Sequence, residues 1–424
     1  MKKFVALLLA LTLCIGLCAC GAQPEAPAAT DAPTAEAPAE ETPAATGETE
    51  ATTGSKDIKV GFIFLHDENS TYDLNFINAA KAACAEVGLS DDQVMMKTNI
   101  SESQACYDAA AELVDAGCDL IITDSFGHES FALAAAKEFP EVHFVSCTGV
   151  KAHTEGLSNF HNAFASIYEG RYLAGVAAGL KLNEMIENGD ITAEEAKMGY
   201  VGAFPYAEVK SGYTSFFLGA RSVCPSVTME VTFTSSWYDE ALEKEAANKL
   251  INNGCVLISQ HADSMGAPTA CETAGVPNVS YNGSTVAACP NTFIVSSRID
   301  WTPFFVYAIN CVASGEDIGY DWTGTLATGS VVLTDVNEQA AAAGTAEKIA
   351  EVMKALEDGS VKVFDTATFT VNGETVTTYL ADVDDLGDYV GETEAISDGV
   401  FLESFYRSAP YFDLDIDGIT NLDA

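Results

Sequence analysis

From position 58 the chain alternates short apolar runs with runs of helical spacing, and it does so through two successive sets. Residues 58–65 (IKVGFIFL) are almost continuously apolar, as a strand covered on both faces should be. Residues 75–87 have helical spacing and stop at Gly88, 94–97 read as a strand, and 103–116 as a helix halted by Gly117. A strand at 118–123, a helix at 130–139 closed by Pro140 and a strand at 142–147 complete a βαβαβαβ order. That order predicts an α/β fold with a mostly parallel, doubly wound sheet and helices on both faces. The second set has helices at 165–185, 209–222, 239–251 and 268–274, and strands at 198–203, 228–234, 255–259 and 277–281.

Two such sets predict two lobes of one architecture. The strand at 293–297 and the helix at 303–312 are expected to return to the first lobe, with 323–334 as extended crossing segments. A helix at 345–356 and a hairpin at 369–380, turning at Asn372-Gly373, follow. The expected division is 57–162 with about 287–326 for the first lobe, and 163–286 with about 327–424 for the second.

The first 56 residues read differently. A basic start is followed by the apolar stretch 4–19, of signal-peptide size and short for a membrane span. It ends in Leu17-Cys18-Ala19-Cys20-Gly21, which resembles a bacterial lipobox, so residues 1–20 are expected to be a lipoprotein signal with Cys20 the lipidated residue. The rival reading is ordinary cleavage with Cys20 inert. Two acyl chains would hold the chain to a membrane where one is marginal. Residues 21–56 carry five prolines, seven acidic residues and one lysine, with no aromatic. Such a segment cannot offset its own ordering entropy and is expected to be a disordered acidic tether. The expected location is the cell membrane, lipid-anchored on the extracytoplasmic face.

The formal charge of −42, from 20 basic and 62 acidic residues, argues against nucleic acid as a partner. Nine of the 12 cysteines lie beyond Cys20; nine is odd, no CxxC occurs, and most sit in apolar patterns, so buried free thiols are expected. Six histidines show neither HxH nor HExxH spacing, so no metal is expected. No GxSxG, GxxxxGK[ST] or GxGxxG is present, and neither catalysis nor a cofactor is expected.

In doubly wound sheets, ligands bind beyond the carboxyl ends of the strands. The stretch 255–266 (CVLISQHADSMG) turns from apolar to polar at such a point, at Gln260, His261, Asp263 and Ser264. Other strand ends give Asp124-Ser125-Phe126, Thr148-Gly149, Trp237-Tyr238 and Tyr281-Asn282, with Tyr72 in the first loop. Rings with carboxylates and amides suit a flat heteroaromatic ligand, though a sugar also stacks on Trp. The bland readings are that Trp237 packs the lobes, Asp263 caps the next helix, Arg171 pairs with Glu169 or a neighbour, and Glu208 is a helix N-terminal acid.

The pieces TDSFG (123–127), YEGRYLAG (168–175), GYVGAFPYAEV (199–209), GARSVCP (219–225), SSWYDEALEKEAA (235–247) and SQHADS (259–264) resemble the basic-membrane-protein family of ABC-transporter substrate-binding lipoproteins, above all its purine-binding branch. The resemblance runs from about Ile58 to the C-terminal region. It implies a two-lobed type I periplasmic-binding fold that captures a purine base or nucleoside and delivers it to an ABC permease with its ATPase subunits. It implies stacking by Trp237 and, opposite, Tyr72. Asp263 would accept from base N–H groups, Gln260 or His261 would shape that wall, and Ser125 and Phe126 would line the first lobe's side. Tyr281 and Asn282 stand where nucleoside binders of the family carry an Asp, which favours a free base. A monomer is expected. Other readings are a sugar or signal molecule on the same scaffold, or a lipid-anchored sensory or regulatory protein.

Overall fold

The computed structural model describes residues 57–383 and 390–423. The expected signal, Cys20 and the acidic tether lie outside these residues.

The first sheet is built from β1 (Val60–Ile63), β2 (Val94–Lys97), β3 (Leu120–Thr123), β4 (His143–Cys147) and β5 (Phe160–Ala165). A late strand, β11 (Asp321–Gly324), joins its edge, giving the parallel order β11-β5-β4-β3-β1-β2. The second sheet uses β6 (Lys197–Gly202), β7 (Thr228–Phe233), β8 (Leu257–His261), β9 (Asn278–Tyr281), β10 (Phe293–Ile299) and β12 (Val331–Leu333). Its order is β12-β10-β9-β8-β6-β7, with Ile419–Asn421 added beside β7; only the β10–β12 pair is antiparallel. Both sheets are thus wound the same way, first strand flanked by the second and third, as expected of two lobes of one architecture.

The strands are apolar because both faces are covered. Phe62, Phe64, Leu120, Ile122 and Val145 meet the helices α1 (Thr71–Glu86) and α9 (Thr302–Ser314) on one side. Ile63, Ile121 and Phe144 meet α2 (Gln104–Asp115) and α3 (Glu129–Glu138) on the other. In the second lobe the longest helix, α5 (Ile167–Asn188), lies against α6 (Ala207–Val223). That contact explains part of the YEGRYLAG and GARSVCP stretches: a Cβ on Gly175 would strike the Phe216 carbonyl, and one on Gly219 the Tyr172 carbonyl.

Two expectations change here, and one strand was not expected. The strand expected at 293–297 does not return to the first lobe; β10 pairs with β9 in the second sheet, and only the following helix α9 goes back, against α1. Strand β5 carries polar His161 and Asn162 and does not read as apolar. The hairpin at Asn372-Gly373 closes with positive φ at both residues, but its arms make a single bridge, Val371 to Glu374. The nine cysteines described are all buried and unpaired.

Candidate functional site

The carboxyl ends of both sheets face one cleft. From the first lobe, Leu65 follows β1, Ser125 and Phe126 follow β3, and Thr148 follows β4; Tyr72 and Asp73 come from the first turn of α1. From the second lobe come Glu208 on α6, Trp237 before α7 (Glu240–Asn252), His261 and Asp263 at the end of β8, and Tyr281 at the end of β9. The lobes meet around it. Thr71 N donates to the Asp263 carbonyl (3.1 Å), the Phe126 and Tyr206 rings lie 5.7 Å apart, and His66 and Tyr238 5.3 Å apart.

Aromatic groups line both sides. The Tyr72 ring rests 4.9 Å from Phe76, and its hydroxyl donates to the Asp124 carbonyl (2.6 Å). Trp237 stands edge-on to Phe204 at 5.0 Å, which props its ring toward the cavity. The Tyr281 ring lies 4.6 Å from the His261 ring and 4.3 Å from the buried Arg171 guanidinium.

The carboxyl groups are coupled. Burial and then the Asp73 charge push Asp124 well above the usual range, so it holds a proton toward Asp73. Burial also pushes Asp73 up, but hydrogen bonds from His66, Ser70 and Asp124 outweigh it and hold it low. His66 N donates to Asp73 Oδ1 (2.7 Å), and Leu65 N to Asp124 Oδ1 (3.1 Å). Across the cavity, burial and then the charges of Asp73, Glu243 and Glu208 raise Asp263 well above its ordinary value. His261 is pushed down by burial, against the opposing pull of Glu208, whose Oε1 lies 3.4 Å from Nε2.

The structure brings six of the eight sequence-expected residues to this cavity: Tyr72, Ser125, Phe126, Trp237, Asp263 and Tyr281. Gln260 turns to the other face of β8, where its Oε1 accepts from Asn278 Nδ2 (3.1 Å). Asn282 sits behind, left-handed at φ 65°, with its amide beside the Asp263 carboxyl. Asp263 does not cap the next helix, α8 (Gly266–Ala274), whose cap position is Met265. Arg171 makes no ion pair with Glu169. Its guanidinium packs over the Tyr281 ring, and Nη2 donates to the Tyr200 hydroxyl and the Gln260 carbonyl (2.9 Å), in place of the expected carboxylate.

Sequence reading missed Asp73, and gave Glu208 only its helix-end role. It named Thr148 only as part of a strand end. Thr148 holds φ 66°, a strained conformation for a β-branched residue, and its buried Oγ1 has no partner among the described residues. Strand-end position was the signal available for it and for Glu208.

These features define a two-lobed α/β protein with a cleft between similar lobes. The chain belongs to the Bmp family, ABC transporter substrate-binding proteins that are PnrA-like, whose family model matches residues 64–363. It is 30% identical over 261 residues to a purine-binding protein of Brucella abortus, covering 61% of this chain and 69% of the relative. It is 31% identical over 235 residues to a Haloferax volcanii protein named for glucose binding in an ABC transporter, covering 55% of this chain and 56% of the relative. A solute-binding protein of an ABC transporter system from Aeropyrum pernix K1 shares the fold, with TM-score 0.62 at 17% identity over 75% of this chain and 94% of that one. Substrate-binding proteins of ABC importers act outside the cytoplasm with a permease and an ATPase. No helix among the described residues is long and apolar enough to cross a membrane.

Proposed function

We propose that the chain captures a purine base, or less well a nucleoside, by closing its lobes on a stacked ring and delivers it to a membrane permease, without turning it over. The observation that carries this reading is the pairing of rings from both lobes, Tyr72 and Trp237, with a carboxyl edge at Asp263 in one cavity. Stacking contributes about 1–3 kcal/mol per base, and Asp263 receives N–H donors on the ring's edge. Tyr281 and Asn282, where nucleoside binders carry an acid, support the free base. The Brucella relative named for purine binding points the same way. Lipidation at Cys20 would keep the protein beside its permease on the outer face of the membrane, as a monomer.

Titration calorimetry on the full-length chain, unfolded and refolded to strip carried ligand, tests this with adenine, guanine, hypoxanthine, their nucleosides, ribose and glucose. Bases bound most tightly support the reading. Nucleosides bound best overturn the preference for a free base. The sugar reading has the Haloferax relative behind it, and glucose or ribose binding with no purine response would replace the proposal with it.

A further inference from the structure

Resting on the purine reading, the charge of the cavity says which purines fit. Three carboxyl groups line it, Asp73 from the first lobe and Glu208 and Asp263 from the second, and no Lys or Arg side chain is among the lining groups. Buried Arg171 packs against the Tyr281 ring outside the lining; its Nη2 donates to the Gln260 carbonyl and the Tyr200 hydroxyl, while Nε and Nη1 have no hydrogen-bond partner among the described residues. His261, beside Glu208, does not cancel that acid's charge, because burial keeps its ring neutral. Glu208 also borders a second, outer cavity that shares Phe126 and Thr148 with the inner one, so it stands where the inner site opens outward. The cation of that outer cavity, Arg407, donates to the carbonyls of Ala409 and Pro410 (3.2 and 3.3 Å).

An anion placed here meets the carboxylates of Asp73 and Glu208 between the lobes, where such repulsion is stronger than in bulk water. A ring with N–H groups on its edge meets the carboxyl oxygens of Asp263 and Glu208. We propose that the cleft selects purines by charge: it takes neutral or cationic bases that present N–H donors to Asp263 and Glu208, turns away anionic purines, and owes this preference to Glu208.

The test is calorimetric titration of the full-length chain and of Glu208→Gln with hypoxanthine, adenine, urate (an anion at neutral pH) and 8-oxoadenine, a neutral purine with the same C8 oxygen. Wild type should bind hypoxanthine, adenine and 8-oxoadenine at least tenfold more tightly than urate, and the Gln variant should narrow that ratio at least threefold. Urate bound within threefold of hypoxanthine overturns charge selection while leaving the purine reading intact. Rejection of 8-oxoadenine together with urate overturns it too, since size would then decide. An unchanged ratio in Glu208→Gln overturns the role of that residue. Glucose or ribose binding with no purine response overturns both the inference and the reading beneath it.

Discussion

The first-lobe wall and the second-lobe wall of the cleft both present rings and acids, but they dispose of their polar groups differently. On the first wall, Tyr72 donates to a main-chain carbonyl, Ser125 Oγ to Glu102 (2.6 Å), and Asp73 is bracketed by His66 and a protonated Asp124. On the second, Asp263 has the Asn282 amide beside it, and neither the Tyr281 hydroxyl nor the Trp237 indole has a hydrogen-bond partner among the described residues. Thr148 apart, whose buried Oγ1 has no partner among the described residues, the first wall's hydroxyls are already bonded and can shape a ligand's surface at low reorganisation cost. A wall with an unfilled indole donor and an unfilled hydroxyl must be completed by the ligand, so discrimination should lie mainly in the second lobe.

The largest effect that would sharpen this contrast is expected at Trp237. Trp237→Ala should weaken purine binding roughly 30-fold, about 2 kcal/mol, since a whole stacking face is lost. Calorimetry of the variant decides it, and wild-type affinity would remove stacking from the account.

The second effect concerns the acids under the second wall. Glu403 is buried, and burial pushes it up to about 7, opposed by the hydroxyls of Ser211 and Ser404. A carboxyl raised above its ordinary value contributes stability below that ordinary value, and the contribution is lost as pH rises through about 7. Glu403→Gln keeps the shape and removes the titration. At pH 8 it should be more stable than wild type by about 1.5 kcal/mol, with little difference at pH 5. Urea unfolding at both values measures this. A variant less stable at pH 8 would mean the ionised carboxylate is compensated after all.

The third is a proton count. Because burial and neighbouring acids raise Asp263 well above its ordinary value, a base donating N–H groups to it should lower that value and release protons on binding, up to about one per ligand. Titration in two buffers of different ionisation enthalpy reads the number. A count near zero would mean that Asp263 stays protonated and donates to a ring nitrogen, which would change the edge of the purine assigned to it.

Much of this was legible in the chain, and the exceptions have causes. Strands such as β1 and β3 announced themselves because both faces are covered, and Trp237 and Asp263 because strand ends in doubly wound sheets point at the cleft. Strand β5 hid because its polar residues are satisfied from other elements: Asn162 Oδ1 accepts from Ala152 N (2.7 Å), and His161 Nδ1 lies 2.6 Å from the Gly319 carbonyl. The destination of β10 was hidden because an apolar run does not say which sheet it joins. Gln260 was over-read because alternation along β8 turns it from the face that His261 shows. Glu208 was under-read because one position serves both as helix-end acid and as cavity wall.

The smallest expected effect tests whether the first wall is as complete as its hydrogen bonds suggest. Tyr72→Phe keeps the ring against Phe76 and deletes the hydroxyl that the Asp124 carbonyl accepts. Stability should fall by about 1 kcal/mol, the net value of one such bond, while purine affinity changes less than about threefold because the stacking face remains. Thermal unfolding and calorimetry on the same preparation separate the two. An affinity loss of tenfold or more, with stability unchanged, would place the hydroxyl on the ligand instead of on the main chain. Both walls would then depend on the ligand to complete them, and discrimination would be shared between the lobes.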